Sequence, residues 1–435
     1  MNFQEVLAYL YSSLPMFHRV GPAAYNRSLD KTLSLLAHLG NPHANLKCIH
    51  IAGTNGKGSV SSMLSAILTQ AGYKTGLYTS PHLIDFRERI RVNGSMIDET
   101  YVVDWIEQHK PFLDELQPSF FETTVGLCFD YFRHENIDIG VIETGLGGRI
   151  DSTNVITPLL SIITNISWDH ADLLGDTLVK IAGEKAGIIK QGIPILSGTT
   201  EPEILEVFRA KSSAVSSHVL LASDCWKLLK YQWDGGKAHW QFMATASQEI
   251  LELETDLPGE YQKENLPVVL TAVDYLREIG FDLSIQNIRS ALSQVRILAG
   301  LRGRMEKLSD SPILIADTAH NEAGVKMVMH QLQNIAHENI KIVWGMVGDK
   351  DRGKILPLLP VHATYYFVKP NLPRGLEAKT LETEASLYGL RGKAFSSVME
   401  GVQTALHEAH SQDLVFVGGS TFVVGEFLGA YPESY

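Results

Sequence analysis

The chain has 435 residues, 45% hydrophobic and 20% charged, with a formal net charge of −12. That length holds two or three domains with sizeable cores, and the acidity argues against general binding to nucleic acid or membrane surfaces. No stretch approaches the ~18–20 uninterrupted apolar residues of a membrane span, no signal peptide opens the chain, and three scattered cysteines (Cys48, Cys128, Cys225) suit a reducing cytoplasm.

The first informative element is Leu46–Ile51, an apolar run entering Gly53-Thr54-Asn55-Gly56-Lys57-Gly58-Ser59. Val60, Met63, Leu64, Ile67 and Leu68 follow at helical spacing. A strand, a glycine loop and a helix start make an anion cradle. Backbone N–H groups face a phosphate, the lysine neutralises it, and the hydroxyl can bind Mg²⁺. The common pattern has Ser or Thr directly after Gly-Lys, whereas Gly58 intervenes here.

Further strands are expected at Lys74–Thr79, Ile137–Ile142, Leu159–Ile166 and Ile193–Ser197. Such nearly continuous apolar runs fit parallel strands covered on both faces, and ligands then bind beyond the carboxyl ends. Those ends are polar: Ser80-Pro81-His82, Glu143 through Asp151, and Ser167-Trp168-Asp169-His170. A hydroxyl, a carboxylate and an imidazole on neighbouring tips suit Mg²⁺ beside a phosphate. Arg87, Arg89 and Arg91 alternate, so on an extended segment they share one face, either an anion-attracting surface or a charge-protected edge strand. Lys185 lies at i+7 from Leu178, with Ile181 and Ala182 between, on the apolar face of a helix capped by Asp176 or Thr177. A buried ammonium there costs several kcal/mol unless neutralised; the alternative is a side chain snorkelling to the rim.

Asp234-Gly235-Gly236-Lys237 reads as a hairpin turn between Leu228–Trp233 and His239–Phe242, with Ile250–Leu253 a further strand and a helix over Asn265–Ile279. A second alternating series has strands at Ile313–Ala316, Ile340–Gly345, Tyr365–Lys369 and Leu414–Val417. The domain boundary is expected near residue 296, giving domains 1–296 and 297–435. Asp317-Thr318-Ala319-His320-Asn321 and Met346-Val347-Gly348-Asp349-Lys350-Asp351 follow two of these strands, with Asp317 expected at an exposed tip where its exchange weakens catalysis more than folding.

Together these motifs resemble the folylpolyglutamate synthase and dihydrofolate synthase branch of the Mur-ligase superfamily. The resembling stretches are His50–Ser59, Ser80–Leu83 with Phe86–Val92, Glu143–Val155, Thr164–Thr177, Ile181–Lys190, Gly303-Arg304, Asp317–Asn321, Gly345–Asp351 and Val417–Thr421, and Gly58 is typical of the folate branch. The resemblance implies a mostly parallel α/β ATP-binding domain with a small antiparallel extension, and a smaller Rossmann-like α/β domain. It implies ATP-dependent glutamate addition to dihydropteroate and reduced folates through an acyl phosphate, with folylpolyglutamate synthesis alone or another Mur-type amino-acid ligase as alternatives. It assigns Gly53, Thr54, Asn55, Gly56, Lys57, Gly58, Ser59, Asn265, Arg304 and Asp317 to ATP. It assigns Phe121, Glu122, Thr123, Arg149, Ile150 and Asp151 to the pterin, and Ser59, Ser80, Glu143 and His170 to Mg²⁺ at two sites, with K⁺ as a further possible ion. Lys185 would be an N6-carboxylysine supporting the metal, and His320 would lie near the transferred phosphoryl group. The family is usually monomeric.

Overall fold

The computed structural model describes residues 1–14, 28–348 and 350–431, so Asp349 lies outside the described residues. The chain divides into two compact units. One comprises Met1–Lys230, His239–Thr255 and Lys263–Leu301; the other comprises Tyr231–Ala238, Asp256–Gln262 and Arg302–Tyr435.

The first unit is built on an eight-stranded sheet: β1 (Cys48–Ala52), β2 (Thr75–Tyr78), β3 (Ile90–Val92), β4 (Ser95–Met96), β5 (Ile139–Glu143), β6 (Leu160–Ile163), β7 (Ile195–Ser197) and β8 (Val219–Leu221). Their spatial order is β4-β3-β2-β5-β1-β6-β7-β8. From β2 to β8 every pairing is parallel; β3 and β4 add an antiparallel edge. β1, β2, β5, β6 and β7 are buried at every position, as their continuous apolar sequences require. The helix Lys57–Gln70 follows β1, and ten successive residues from Ser59 to Leu68 are buried. The expected single apolar face is therefore too narrow. Small serines on the other faces let the helix pack against β2, β5 and the helices Ile285–Leu292 and Val295–Ala299.

A three-stranded sheet follows, formed by β9 (Trp226–Trp233), β10 (Ala238–Ala244) and β11 (Ile250–Thr255), with β10 central. Its turn is set by Asp234, whose Oδ1 accepts from the N–H groups of Gly236 and Lys237 at 2.9 and 3.1 Å. The second unit holds a six-stranded sheet of β12 (Glu306–Asp310), β13 (Ile313–Ala316), β14 (Ile340–Trp344), β15 (Thr364–Phe367), β16 (Arg391–Ala394) and β17 (Leu414–Gly418). The order is β12-β13-β17-β14-β15-β16, parallel except for β12. Strands β12 and β16 are missing from the sequence reading because half-exposed edge strands carry no apolar run.

The extended segment expected around the arginines is a correction. Asp85 and Glu88 form a capping box that starts a 3₁₀ turn over Phe86–Arg89, and only Ile90–Val92 is strand. The three guanidinium groups diverge: Arg87 pairs with Asp85 and Glu99, Arg89 is buried against His82, and Arg91 donates to the Gly94 carbonyl. They share no face.

Thr177 caps the helix Leu178–Lys185 by accepting from Lys180 N–H at 3.2 Å. The helix is only two turns long, so the cap is a large part of what fixes it. Thr177→Ala is expected to lower the unfolding free energy by about 1 kcal/mol, measured by urea denaturation.

Candidate functional site

Because β1 lies between β5 and β6, with β2 beyond β5, the carboxyl ends of four parallel strands form one row. Along it stand Ser80 after β2, Glu143 at the end of β5, the glycine loop after β1, and Thr164–His170 after β6. Neighbouring tips in this row lie 60 or more residues apart in sequence. Ser80 N–H donates to Glu143 Oε2 at 3.2 Å, joining the tips of β2 and β5.

The loop is held by its own carbonyls and by the tip of β6. Gly53 has φ 151°, and a Cβ there would stand 1.9 Å from Thr164 Oγ1, so only glycine fits. Gly56 has φ 84°, and its missing Cβ leaves room for the Asn265 amide, which would otherwise be 2.2 Å away. Thr164 Oγ1 donates to the Asn55 carbonyl at 2.6 Å. Asn165 accepts twice, from Thr54 N–H on its backbone oxygen at 2.9 Å and from Asn55 N–H on Oδ1 at 2.8 Å. The helix then starts at Lys57 with Gly56 as its N-cap, a residue with no side chain to cap the first turn. Thr164 and Asn165 were not among the sequence-derived site residues. Their contacts span more than a hundred residues, and only their place after an apolar strand signals them.

Two lysines converge on one oxygen. Lys57 Nζ donates to the carbonyls of Gly53 and Thr54 at 3.1 and 3.2 Å, and Lys185 Nζ donates to the same Gly53 carbonyl at 2.7 Å. Lys185 is 4% exposed, so the snorkelling alternative is excluded. Burial, and secondarily the charge of Lys57, pull its pKa down to about 7; Asp169 and Asp151 oppose the shift. A substantial neutral-amine fraction follows at physiological pH. His170 takes φ 51°, a left-handed conformation uncommon for a non-glycine residue, next to Asp169.

Among the described residues there is no group of three or more His, Cys, Asp or Glu placed to hold a metal ion. The tip residues instead offer hydroxyls (Ser59, Ser80), one carboxylate (Glu143) and one imidazole (His170). This hard, oxygen-rich set fits Mg²⁺, which takes few protein ligands and completes its shell with water and phosphate oxygens.

The pterin-assigned residues separate into two kinds. Glu122 is buried, its carboxylate accepting from Ser119 N–H at 2.6 Å to close a capping box on the helix Phe120–His134, and Thr123 Oγ1 donates to the Ser119 carbonyl. Asp151 is buried and accepts from the N–H groups of Gly145 and Leu146 at 2.8 Å each, and from the N–H and hydroxyl of Thr153. Burial raises its pKa against those bonds. By contrast the Arg149 side chain is 59% exposed and pairs with Glu184 at 2.9 Å. The Phe121 ring lies over Gly145, where a Cβ would be 2.4 Å from it, and Ile150 is half-buried.

In the second unit, Asp317 is 2% exposed, correcting the expected exposed tip. Its carboxylate accepts from Met305 N–H and Tyr261 hydroxyl, both at 2.7 Å, and from Ala319 N–H at 2.8 Å. Burial raises its pKa, and the nearby Arg304 lowers it. Arg304 donates to Thr318 Oγ1, and His320 Nδ1 lies 3.0 Å from the Thr318 carbonyl oxygen. An open depression of about 440 Å³ lined by Lys350, Arg352, Glu384 and Tyr388 shares no residue with either cluster.

Residues 51–273 match the Mur ligase middle domain and residues 303–421 the Mur ligase glutamate ligase domain. The chain is 34% identical over 429 residues to the folylpolyglutamate synthase of Lacticaseibacillus casei, covering 96% of each chain. It is 33% identical to the dihydrofolate synthase/folylpolyglutamate synthase of Bacillus subtilis, covering 92% and 93%. This chain is a Mur ligase of the folylpolyglutamate synthase/dihydrofolate synthase family. Among solved structures it is similar to E. coli FolC in complex with DHPP and ADP, with TM-score 0.83 and 27% identity over 98% of this chain and 97% of that one. It is also similar to Mycobacterium tuberculosis folylpolyglutamate synthase complexed with ADP and AMPPCP, with TM-score 0.84 and 29% identity over 94% and 96%. It is an ATP-dependent ligase. None of its described helices is long and apolar enough to cross a membrane.

The bonding around Asp317 predicts that Asp317→Asn destabilises the second unit as well as lowering activity. The amide turns an acceptor into a donor facing N–H and O–H groups, so a loss of about 2 kcal/mol is expected, seen as a lowered melting temperature.

Proposed function

We propose that this chain adds L-glutamate to dihydropteroate, giving dihydrofolate, and to reduced folates, giving polyglutamates. In this reading residues 1–296 bind ATP, residues 297–435 supply the glutamate-ligase domain, and the enzyme works as a cytosolic monomer. The observation that carries it is the row of strand tips, where the phosphate loop, the Ser80–Glu143 contact and buried Lys185 meet. Relatives bearing both activity names support the choice of substrates.

Two displacements at adjacent centres make up the chemistry. A carboxylate oxygen of the pteroate or folate attacks the γ-phosphorus of ATP, and ADP leaves. The α-amine of glutamate then attacks the acyl carbon of the acyl phosphate and gives up a proton, and inorganic phosphate leaves. No protein nucleophile is needed; the protein must neutralise charge and hold the reactants in line. The amides of Gly56 to Ser59 cradle phosphate oxygens, and Lys57 leaves its carbonyl partners to meet them. Gly53, Thr54 and Asn55 shape the cradle, while Asn265, Arg304 and Asp317 are assigned to the rest of the nucleotide and His320 to the transferred phosphoryl group. Ser59, Ser80, Glu143 and His170 would hold Mg²⁺, which supplies charge neutralisation on the phosphates. Phe121, Arg149 and Ile150 meet the pterin; Glu122, Thr123 and Asp151 fix the backbone behind them.

Lys185 fits carbamylation. Its neutral amine attacks CO₂ and loses a proton, converting a misplaced cation beside Lys57 into an anion that attracts Lys57 and supports the metal.

Mass spectrometry of products from dihydropteroate and from tetrahydrofolate, each with ATP and glutamate, tests the function. Glutamylation of both is expected. Glutamylation of tetrahydrofolate alone would reduce the activity to polyglutamate synthesis, and addition to neither would overturn the folate reading. Lys185→Ala is expected to cut glutamate incorporation by about 10- to 100-fold, the usual effect of losing a metal-supporting partner, with no rescue by bicarbonate. Intact mass of the parent protein in bicarbonate should show one added CO₂ that the variant lacks; full activity in the variant would refute the carbamate.

A further inference from the structure

The side-chain amide of Asn165 has a direction. Its Oδ1 accepts from Asn55 N–H at 2.8 Å, so its Nδ2 points away from the glycine loop with protons to give. Turned by half a rotation, the amide would set N–H against N–H and break that bond. The oxygen and nitrogen ends of a carboxamide differ little in shape, so hydrogen-bond partners on both sides decide which way it faces.

The far-side partner comes from the helix Gln262–Glu278, whose first two turns lie against the loop and the tip of β6. A Cβ on Gly56 would stand 2.2 Å from Asn265 Oδ1. One on Gly198 would stand 2.8 Å from Val268 Cγ2 and 2.1 Å from the Thr164 carbonyl oxygen, so Val268 packs beside Thr164. Glu264 lies one turn before Val268 on the same helical face. There it meets the next residue of the tip, its carboxylate accepting a hydrogen bond from the Asn165 side chain. Carboxylates only accept, so this bond and the one to Asn55 require the same orientation of the amide.

We propose that Glu264 is a positioning residue for the nucleotide: it holds the Asn165 oxygen toward Asn55 and so fixes the backbone of the glycine loop. This deepens the reading of that loop as an ATP site and rests on it. None of Glu264, Asn165 and Asn55 is assigned to the acyl substrate, so loss of the pair acts on nucleotide affinity.

Reversing the polarity of the pair tests it. Asn165→Asp keeps an acceptor for Asn55 N–H but sets a second carboxylate against Glu264. Glu264→Gln alone keeps a neutral acceptor for the Asn165 amide, and Glu264 lies at the surface, so its exchange removes no core packing. Combined, the two changes restore both bonds, the introduced glutamine amide donating to the introduced aspartate, with the net charge of the parent. In titrations with AMPPCP and Mg²⁺, Asn165→Asp is expected to weaken binding about tenfold or more and Glu264→Gln about threefold or less. The double variant should bind at least about fivefold tighter than Asn165→Asp alone. With dihydropteroate and glutamate, the KM for ATP follows the same order, while Glu264→Gln leaves the acyl-substrate KM within about twofold. Additive losses in the double variant, or a matching rise in the acyl-substrate KM, overturn the proposal. Melting temperatures without nucleotide read the pair independently, with Asn165→Asp lowered and the double variant recovered; equal values for those two refute it. If the parent protein binds no AMPPCP, the nucleotide role falls with the ATP reading of the loop, while the melting temperatures still judge the Glu264–Asn165 pair.

Discussion

The place of β1 decides where everything else lies. It is hydrogen-bonded on both sides by parallel strands that come later in the chain, β5 and β6. Parallel pairing forces every carboxyl end to the same edge, and right-handed crossovers bring the chain back to that edge each time. A glycine loop, a carboxylate, a hydroxyl and an imidazole thus line one edge although they come from separate parts of the sequence. Nothing in the loops themselves needs to search for the others.

Within that row the electrostatics are unbalanced in a definite way. The Gly53 carbonyl serves two ammonium groups, one of them buried, and among the described residues neither forms an ion pair, Asp169 and Asp151 opposing the shift at Lys185 only from farther away. A full charge on Lys185 is disfavoured by burial and by its neighbour together. Both difficulties ease if the amine becomes an anion and Lys57 turns toward phosphate. Arg89 is likewise buried, its guanidinium donating to His82 Nδ1 and bonding to the Tyr78 hydroxyl.

Features set by local chemistry were legible in the sequence: the strand–loop–helix at Leu46–Leu68, the apolar strands, the Asp234 turn, and Lys185 on an apolar helical face. Those set by contacts from afar were not. Alternation made Arg87, Arg89 and Arg91 look extended, but a capping box from Asp85 and Glu88 overrode it. Asp317 looked exposed because its donors, Tyr261 and Met305, lie in a linker segment and at the start of an unseen edge strand. Thr164 and Asn165 could not be singled out, because their partners in the glycine loop are placed beside them only by the β1–β6 pairing.

The double acceptance by Asn165, together with the Thr164 bond, ties down Thr54 and Asn55 through the chain's own groups. A glycine-rich loop left to itself would be among the floppiest parts of a chain. Here its disorder is given up at folding, when it is offset by the cooperative burial of the whole sheet, and not at each encounter with a nucleotide. What remains to reorganise is a lysine side chain, a motion of picoseconds to nanoseconds. In the proposed reading the phosphate donor meets a loop ordered at folding, so a tight nucleotide complex need not be a slow one to form.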